Sequence, residues 1–131
     1  MTTVMYLETH GDTIIPLAER VEFEGYCVGV VEIHGTIKSG NKNGTPYYLC
    51  GDITEDVFVN SVKLPVLCQL NLKSTGLINS QVTKNVVWLR ISRRSMDKIR
   101  LYICDGDGKI ISVGNKGVYC TLVFKQSKHV C

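Results

Sequence analysis

No apolar run in this chain approaches the roughly 20 residues that a membrane-crossing helix needs, so no membrane partner is expected. The opening Met1-Thr2-Thr3-Val4-Met5-Tyr6 lacks a basic stretch followed by an apolar one. No secretory signal is therefore visible, and the chain is expected to begin its life inside a cell. There is no CxxC pair, no close cysteine cluster, no phosphate-cradling glycine loop and no repeat of fixed period. Those absences remove the common zinc, redox and nucleotide-binding signatures. No segment of ten residues or more carries a 3.6-residue apolar stripe, which excludes a helical core.

What is present is a globular composition. Hydrophobic residues make up 44% and charged residues 21% of 131 residues, enough apolar material for one domain with its own core and too much for intrinsic disorder. No linker divides residues 1–131, and the stretch from 126 to 131 reads as a loose tail. Cys27, Cys50, Cys68, Cys104, Cys120 and Cys131 are spread through strand-like apolar runs. In a reducing compartment they are expected to be mostly free, buried thiols.

Alternation is the main structural signal. Leu64, Val66, Cys68, Leu70 and Leu72 fall on one parity and Pro65, Leu67, Gln69 and Asn71 on the other, as in a half-buried strand. Ile99, Leu101 and Ile103 alternate with Lys98, Arg100, Tyr102 and Cys104. Val118, Cys120, Leu122 and Phe124 alternate with Tyr119, Thr121, Val123 and Lys125, and Val87, Leu89 and Ile91 with Trp88, Arg90 and Ser92. Further strands are expected at Val4–Leu7, Ile14–Leu17, Tyr26–Ile33, Pro46–Ile53, Val57–Val59 and Ile110–Val113. Turn-forming clusters at His10–Asp12, Lys38–Gly44, Asp105–Gly108 and Gly114–Gly117 separate them. The pattern predicts an all-β, single-domain antiparallel β-sandwich, jelly-roll-like, of about eight or nine short strands. Lys98–Cys104, the Asp105–Gly108 turn and Lys109–Val113 predict a hairpin. The strands that close the chain are expected to sit centrally in a sheet.

Charge is divided along the chain. Residues 1–60 hold three basic and nine acidic side chains, a balance of −6, whereas residues 61–131 hold twelve basic and three acidic, a balance of +9. Such a split either steers subunits together or points to nucleic acid, unless folding interleaves the halves and mixes the charges on one surface. The densest basic group is Arg90, Arg93, Arg94, Lys98 and Arg100, beside Trp88 and Tyr102. Basic side chains interleaved with aromatics suit single-stranded nucleic acid or acidic glycans, and a solvated sheet face or a subunit contact would look the same.

Catalytic chemistry has little to start from. Asp105-Gly106-Asp107-Gly108 supplies two carboxylates at alternate positions, but Lys109–Val113 offers no closing acid, so a turn is expected and no metal. His10, His34 and His129 stand outside any nucleophile motif, and no enzyme activity, catalytic residue or cofactor is expected. Asn43-Gly44-Thr45 has the form of a glycosylation acceptor and reads as a turn.

Three blocks carry a family resemblance. Val21-Glu22-Phe23-Glu24-Gly25-Tyr26-Cys27-Val28-Gly29-Val30-Val31-Glu32-Ile33 comes first. Tyr47-Tyr48-Leu49-Cys50-Gly51-Asp52-Ile53 follows, with Pro65-Val66-Leu67 after it. The last is Ile99-Arg100-Leu101-Tyr102-Ile103-Cys104-Asp105-Gly106-Asp107-Gly108 with Val118-Tyr119-Cys120-Thr121-Leu122-Val123-Phe124. In this order they resemble minor capsid or penton-like structural proteins of Polinton/Maverick transposons and of adintovirus-like and adenovirus-like DNA viruses of animals. The middle insertion of the longer members is missing, and Gly51 separates Asp52 from its cysteine. The resemblance implies a virion component, capsid or capsid-vertex, that folds as a β-sandwich and self-assembles into a symmetric oligomer with other capsid proteins. It brings no catalytic residues. The expected alternative is a β-sandwich binding module whose basic face engages nucleic acid or acidic glycans.

Overall fold

The structure, a computed structural model, describes residues 2–37, 46–70, 72, 78, 86–113 and 117–126. No helix occurs among them. Ten strands do: β1 (Thr2–Thr9), β2 (Asp12–Glu22), β3 (Tyr26–Gly35), β4 (Tyr47–Gly51), β5 (Val57–Val59), β6 (Val62–Leu64), β7 (Val66–Leu70), β8 (Leu89–Arg90), β9 (Ser95–Asp105) and β10 (Val118–Gln126). Two four-stranded antiparallel sheets, β1-β10-β3-β8 and β2-β9-β4-β7, pack face to face as a small β-sandwich, and β5 and β6 form a separate hairpin.

The pairings are nested. The first strand lies beside the last, β2 beside β9, β3 beside β8 and β4 beside β7. Every connection between these eight strands except the one containing the β5–β6 hairpin crosses from one sheet to the other. One consequence concerns charge. Acidic β1, β2 and β3 each lie beside a strand from the basic half, so the two halves interleave. Arg100–Asp12 and Arg93–Asp52 are ion pairs across that divide.

Period-2 alternation places the core. Val28, Val30, Leu122 and Phe124 of the first sheet meet Leu49, Leu67, Ile99, Leu101 and Ile103 of the second, all buried. Phe23 stacks on Phe124 with ring centroids 4.3 Å apart. Each such side chain contributes about 1.5–3 kcal/mol of burial. A smaller cluster, Cys50, Tyr102 and Cys104, lies on the outer face of the second sheet, packed with Val59 and Leu64 of the β5–β6 hairpin.

Four sequence expectations change. The stripe from Leu64 to Leu72 is not one strand: Pro65, which has no N–H to donate, separates β6 from β7. A register shift between Leu49 and Cys50 then turns Leu67 into the main core while Val66 joins the outer cluster. Parity places Val87 inward with Leu89 and Ile91, yet it is 70% exposed; β8 has only two residues. Ile110–Val113 is no strand, being reduced to a single bridge between Cys104 and Ile110. Finally, β9 and β10 both sit centrally, as expected, but in opposite sheets.

Asp105–Gly108 is a turn, with Gly108 at φ 84°. Asp105 Oδ1 accepts the backbone N–H groups of Asp107 at 2.9 Å and Lys109 at 3.0 Å, so this carboxylate serves the turn. Cys50, Cys68, Cys104 and Cys120 are free thiols, while Cys27 is disulfide-bonded. The Lys38–Gly44 loop, the Asn43-Gly44-Thr45 triplet, His129 and the tail after Gln126 lie outside the described residues.

Candidate interaction surface

The seven residues of the basic segment are divided between the two sheets. Lys98, Arg100 and Tyr102 share the outer face of β9, as alternation requires. Arg100 is held there by a fork: its Nε and Nη2 each donate to a carboxylate oxygen of Asp12 at 2.9 Å, and its guanidinium lies 4.6 Å from the Tyr102 ring centroid. That hydrogen-bonded fork holds the Asp12 carboxyl below its usual range and lifts the Arg100 guanidinium above its own. Tyr102 is buried beneath the hairpin, and desolvation pushes its phenol up to about 12.

Arg93 donates to Asp52 Oδ2 at 3.2 Å, while Asp52 Oδ1 accepts the Arg100 backbone N–H at 2.9 Å. Arg94 turns the chain into β9, its carbonyl accepting the N–H of Phe23. Arg90 is exposed on β8, paired with Cys27 at the edge of the other sheet. Trp88 lies over the outer face of that same sheet with Lys125 Nζ 4.7 Å from its ring centroid. The segment therefore does not form one basic surface, and two of its arginines carry carboxylate partners.

A different constellation does come together, on the outer face of the first sheet. Register sets Glu8, Tyr119 and His34 side by side across β1, β10 and β3, and Tyr6, Thr121 and Glu32 in the next row. The His34 and Tyr119 rings stack at 5.2 Å and 16°. Glu8 Oε2 lies 3.0 Å from His10 Nε2, and its charge and hydrogen bond raise the Tyr119 phenol above its usual range. Tyr6, Glu8, His34, Tyr119 and Thr121 line a shallow groove of about 330 Å³. At the far end of the sheet residues 86–88 cross over β3. Gly29 permits this, because a Cβ there would collide with Val86 Cγ1 and approach the Trp88 ring to 3.2 Å.

The margins of the sandwich differ as well. β2, an edge strand, contains Pro16 and a register shift between Pro16 and Val21, both devices that blunt an edge. β1, the corresponding edge of the first sheet, pairs with β10 over eight residues without a shift and contains no proline, lysine or arginine. Between the two edges Met5, Leu7, Ile15, Leu17 and Val21 line an open apolar groove of about 350 Å³. Tyr6 is 81% and Val4 47% exposed on the outer side of β1.

Burial pushes Cys68 and Cys120 up to about 12, where little thiolate forms. Cys50 and Cys104 share a hydrogen bond at 3.6 Å, which lifts the Cys50 thiol far above its usual range and lowers that of Cys104. They are diagonal neighbours, since Cys50 pairs with Tyr102 and Cys104 with Tyr48. Such diagonals lie roughly 7–8 Å apart at Cα, too far for a disulfide without movement of the strands.

No family model and no curated protein matches the chain. The Tyr6–Tyr119–His34 array is partly legible in the sequence: Tyr119 and Thr121 fall on the polar side of their strand, but nothing in the sequence indicates which strands flank them.

Proposed function

We propose that this chain is a virus-like structural protein, a jelly-roll subunit of capsid or capsid-vertex type that self-assembles into a symmetric oligomer. The observation that carries the reading is the nested pairing of β1 with β10, β2 with β9, β3 with β8 and β4 with β7. Such pairing is what a long ribbon of four antiparallel strand pairs would give on rolling into two four-stranded sheets. An eight-stranded roll of this kind is an architecture of viral capsid domains. Since a fold alone does not fix a function, the reading leans equally on the family-like sequence blocks and on β1, an unblunted edge beside an apolar groove. Other capsid proteins are then its partners, and the virion its destination.

Light scattering coupled to size exclusion, at low and moderate salt with reductant present, tests the proposal. A discrete closed oligomer is expected, with an interface on the order of 1,000 Å² or more. A monomer at every concentration would refute it and favour a binding module instead.

A further inference from the structure

We infer that β1 is a two-fold interface: it pairs antiparallel with β1 of a second copy, joining two first sheets into one continuous eight-stranded sheet. The inference rests on the self-assembly reading and deepens it by naming the strand, the direction and the register. An exposed edge presents unpaired backbone N–H and C=O groups that are satisfied best by another strand. Of the two edges on this side of the sandwich only β1 is regular, because Pro16 and the register shift disable β2.

Charge selects the direction. Glu8 is the only charged side chain on β1. Parallel addition of a second β1 in register would set the two carboxylates abreast, a destabilising arrangement. Antiparallel addition sends them to opposite ends.

Side-chain parity then confines the two-fold to a residue centre, and keeping the two Glu8 carboxylates far apart favours Met5 over Tyr6. Residues paired across an antiparallel ladder share a face, so outward Tyr6 must meet an outward residue and inward Met5 an inward one. Centring the two-fold on Met5 satisfies both conditions along the strand. Met5 meets Met5 of the second copy above the apolar groove, Leu7 meets Thr3, and Tyr6 meets Val4, an aromatic–β-branched pair of the kind that stabilises sheets. Glu8 meets Thr2, leaving the two carboxylates about 20 Å apart at 3.4 Å per residue. Among the described residues the second copy thus covers what this edge leaves open: backbone with no described strand beside it, the exposed Tyr6 and Val4, and the groove between β1 and β2.

The test uses two outward substitutions, Tyr6→Lys and Val4→Glu, each checked for unchanged thermal unfolding and studied by light scattering alone and mixed one to one. The expected result is that wild type dimerises through this edge and each variant alone dimerises at least about tenfold more weakly, as for loss of a central aromatic contact. The mixture recovers dimers, because the introduced lysine of one chain faces the introduced glutamate of the other. A head-to-tail interface using the same patch cannot be rescued in this way, since both variants are damaged at the same surface. Assembly of the wild type with no rescue in the mixture, or undiminished assembly of both variants, overturns the two-fold β1 pairing and leaves the self-assembly reading standing. A wild type that stays monomeric overturns both.

Discussion

Replacing Gly29 by alanine tests how the strap at residues 86–88 is seated on the first sheet. Its backbone φ lies outside the left-handed region, so alanine meets no conformational barrier and would by itself stabilise by about 0.4–1 kcal/mol through the unfolded chain. Against that, the new methyl collides with Val86 Cγ1 and comes within 3.2 Å of the Trp88 ring. Overpacking of this sort costs about 1–3 kcal/mol. The clash wins, for a net loss on the order of 0.5–2 kcal/mol, or about 3–5 °C of Tm per kcal/mol for a chain of this length. Trp88 is the single tryptophan, so its fluorescence reports the displacement directly: emission shifts to the red as the ring lifts away from the sheet and from Lys125. Adding Val86→Ala removes the main obstacle and restores most of both signals, a coupling that a double-mutant cycle measures. Unchanged emission and unchanged stability in Gly29→Ala would refute the close approach of residues 86–88 to β3.

Two further outcomes follow from the titratable groups. Because Arg100 depresses the Asp12 carboxyl in the folded state, the pair contributes stability above the ordinary carboxylate value of 3.8 and loses it as pH falls through the lower folded value. Both side chains are about two-fifths exposed, so solvent screening keeps the contribution below about 1 kcal/mol. Urea midpoints at neutral pH and at pH 2 should therefore differ by less in Asp12→Asn than in wild type, and an identical difference in the two proteins contradicts the assignment. Cys68 and Cys120, pushed up to about 12, carry on the order of a thousandfold less thiolate than an ordinary thiol at the same pH. Iodoacetamide at pH 8 should modify them only once urea unfolds the sandwich, as read by peptide mass spectrometry; rapid modification of the native protein would show that they are not shielded.

The surface that now draws attention was only half visible from the sequence. Alternation exposes Tyr119 and Thr121, and the basic segment stands out by its density. Yet Arg93 and Arg100 found partners in Asp52 and Asp12, more than 40 and more than 80 residues away in sequence. Local density of one charge says nothing about what a sheet sets beside it. Likewise Tyr6, Tyr119 and His34 meet only because β10 inserts between β1 and β3.

What the sequence by itself determined is everything that a period of two and a turn residue encode. It decided that the chain is all-β, which face of β9 and of β10 is buried, and that Asp105–Gly108 turns. These are properties of neighbours in the chain, set by side-chain alternation and by φ. Only the tertiary structure decided that β9 and β10 lie in opposite sheets, that the acidic and basic halves interleave, and that Val87 faces outward although its parity pointed in. Strand order, register and edge position are contacts between residues far apart in sequence, stabilised by burying the two inner faces against each other. Alternation names the face to be buried and is silent on what covers it.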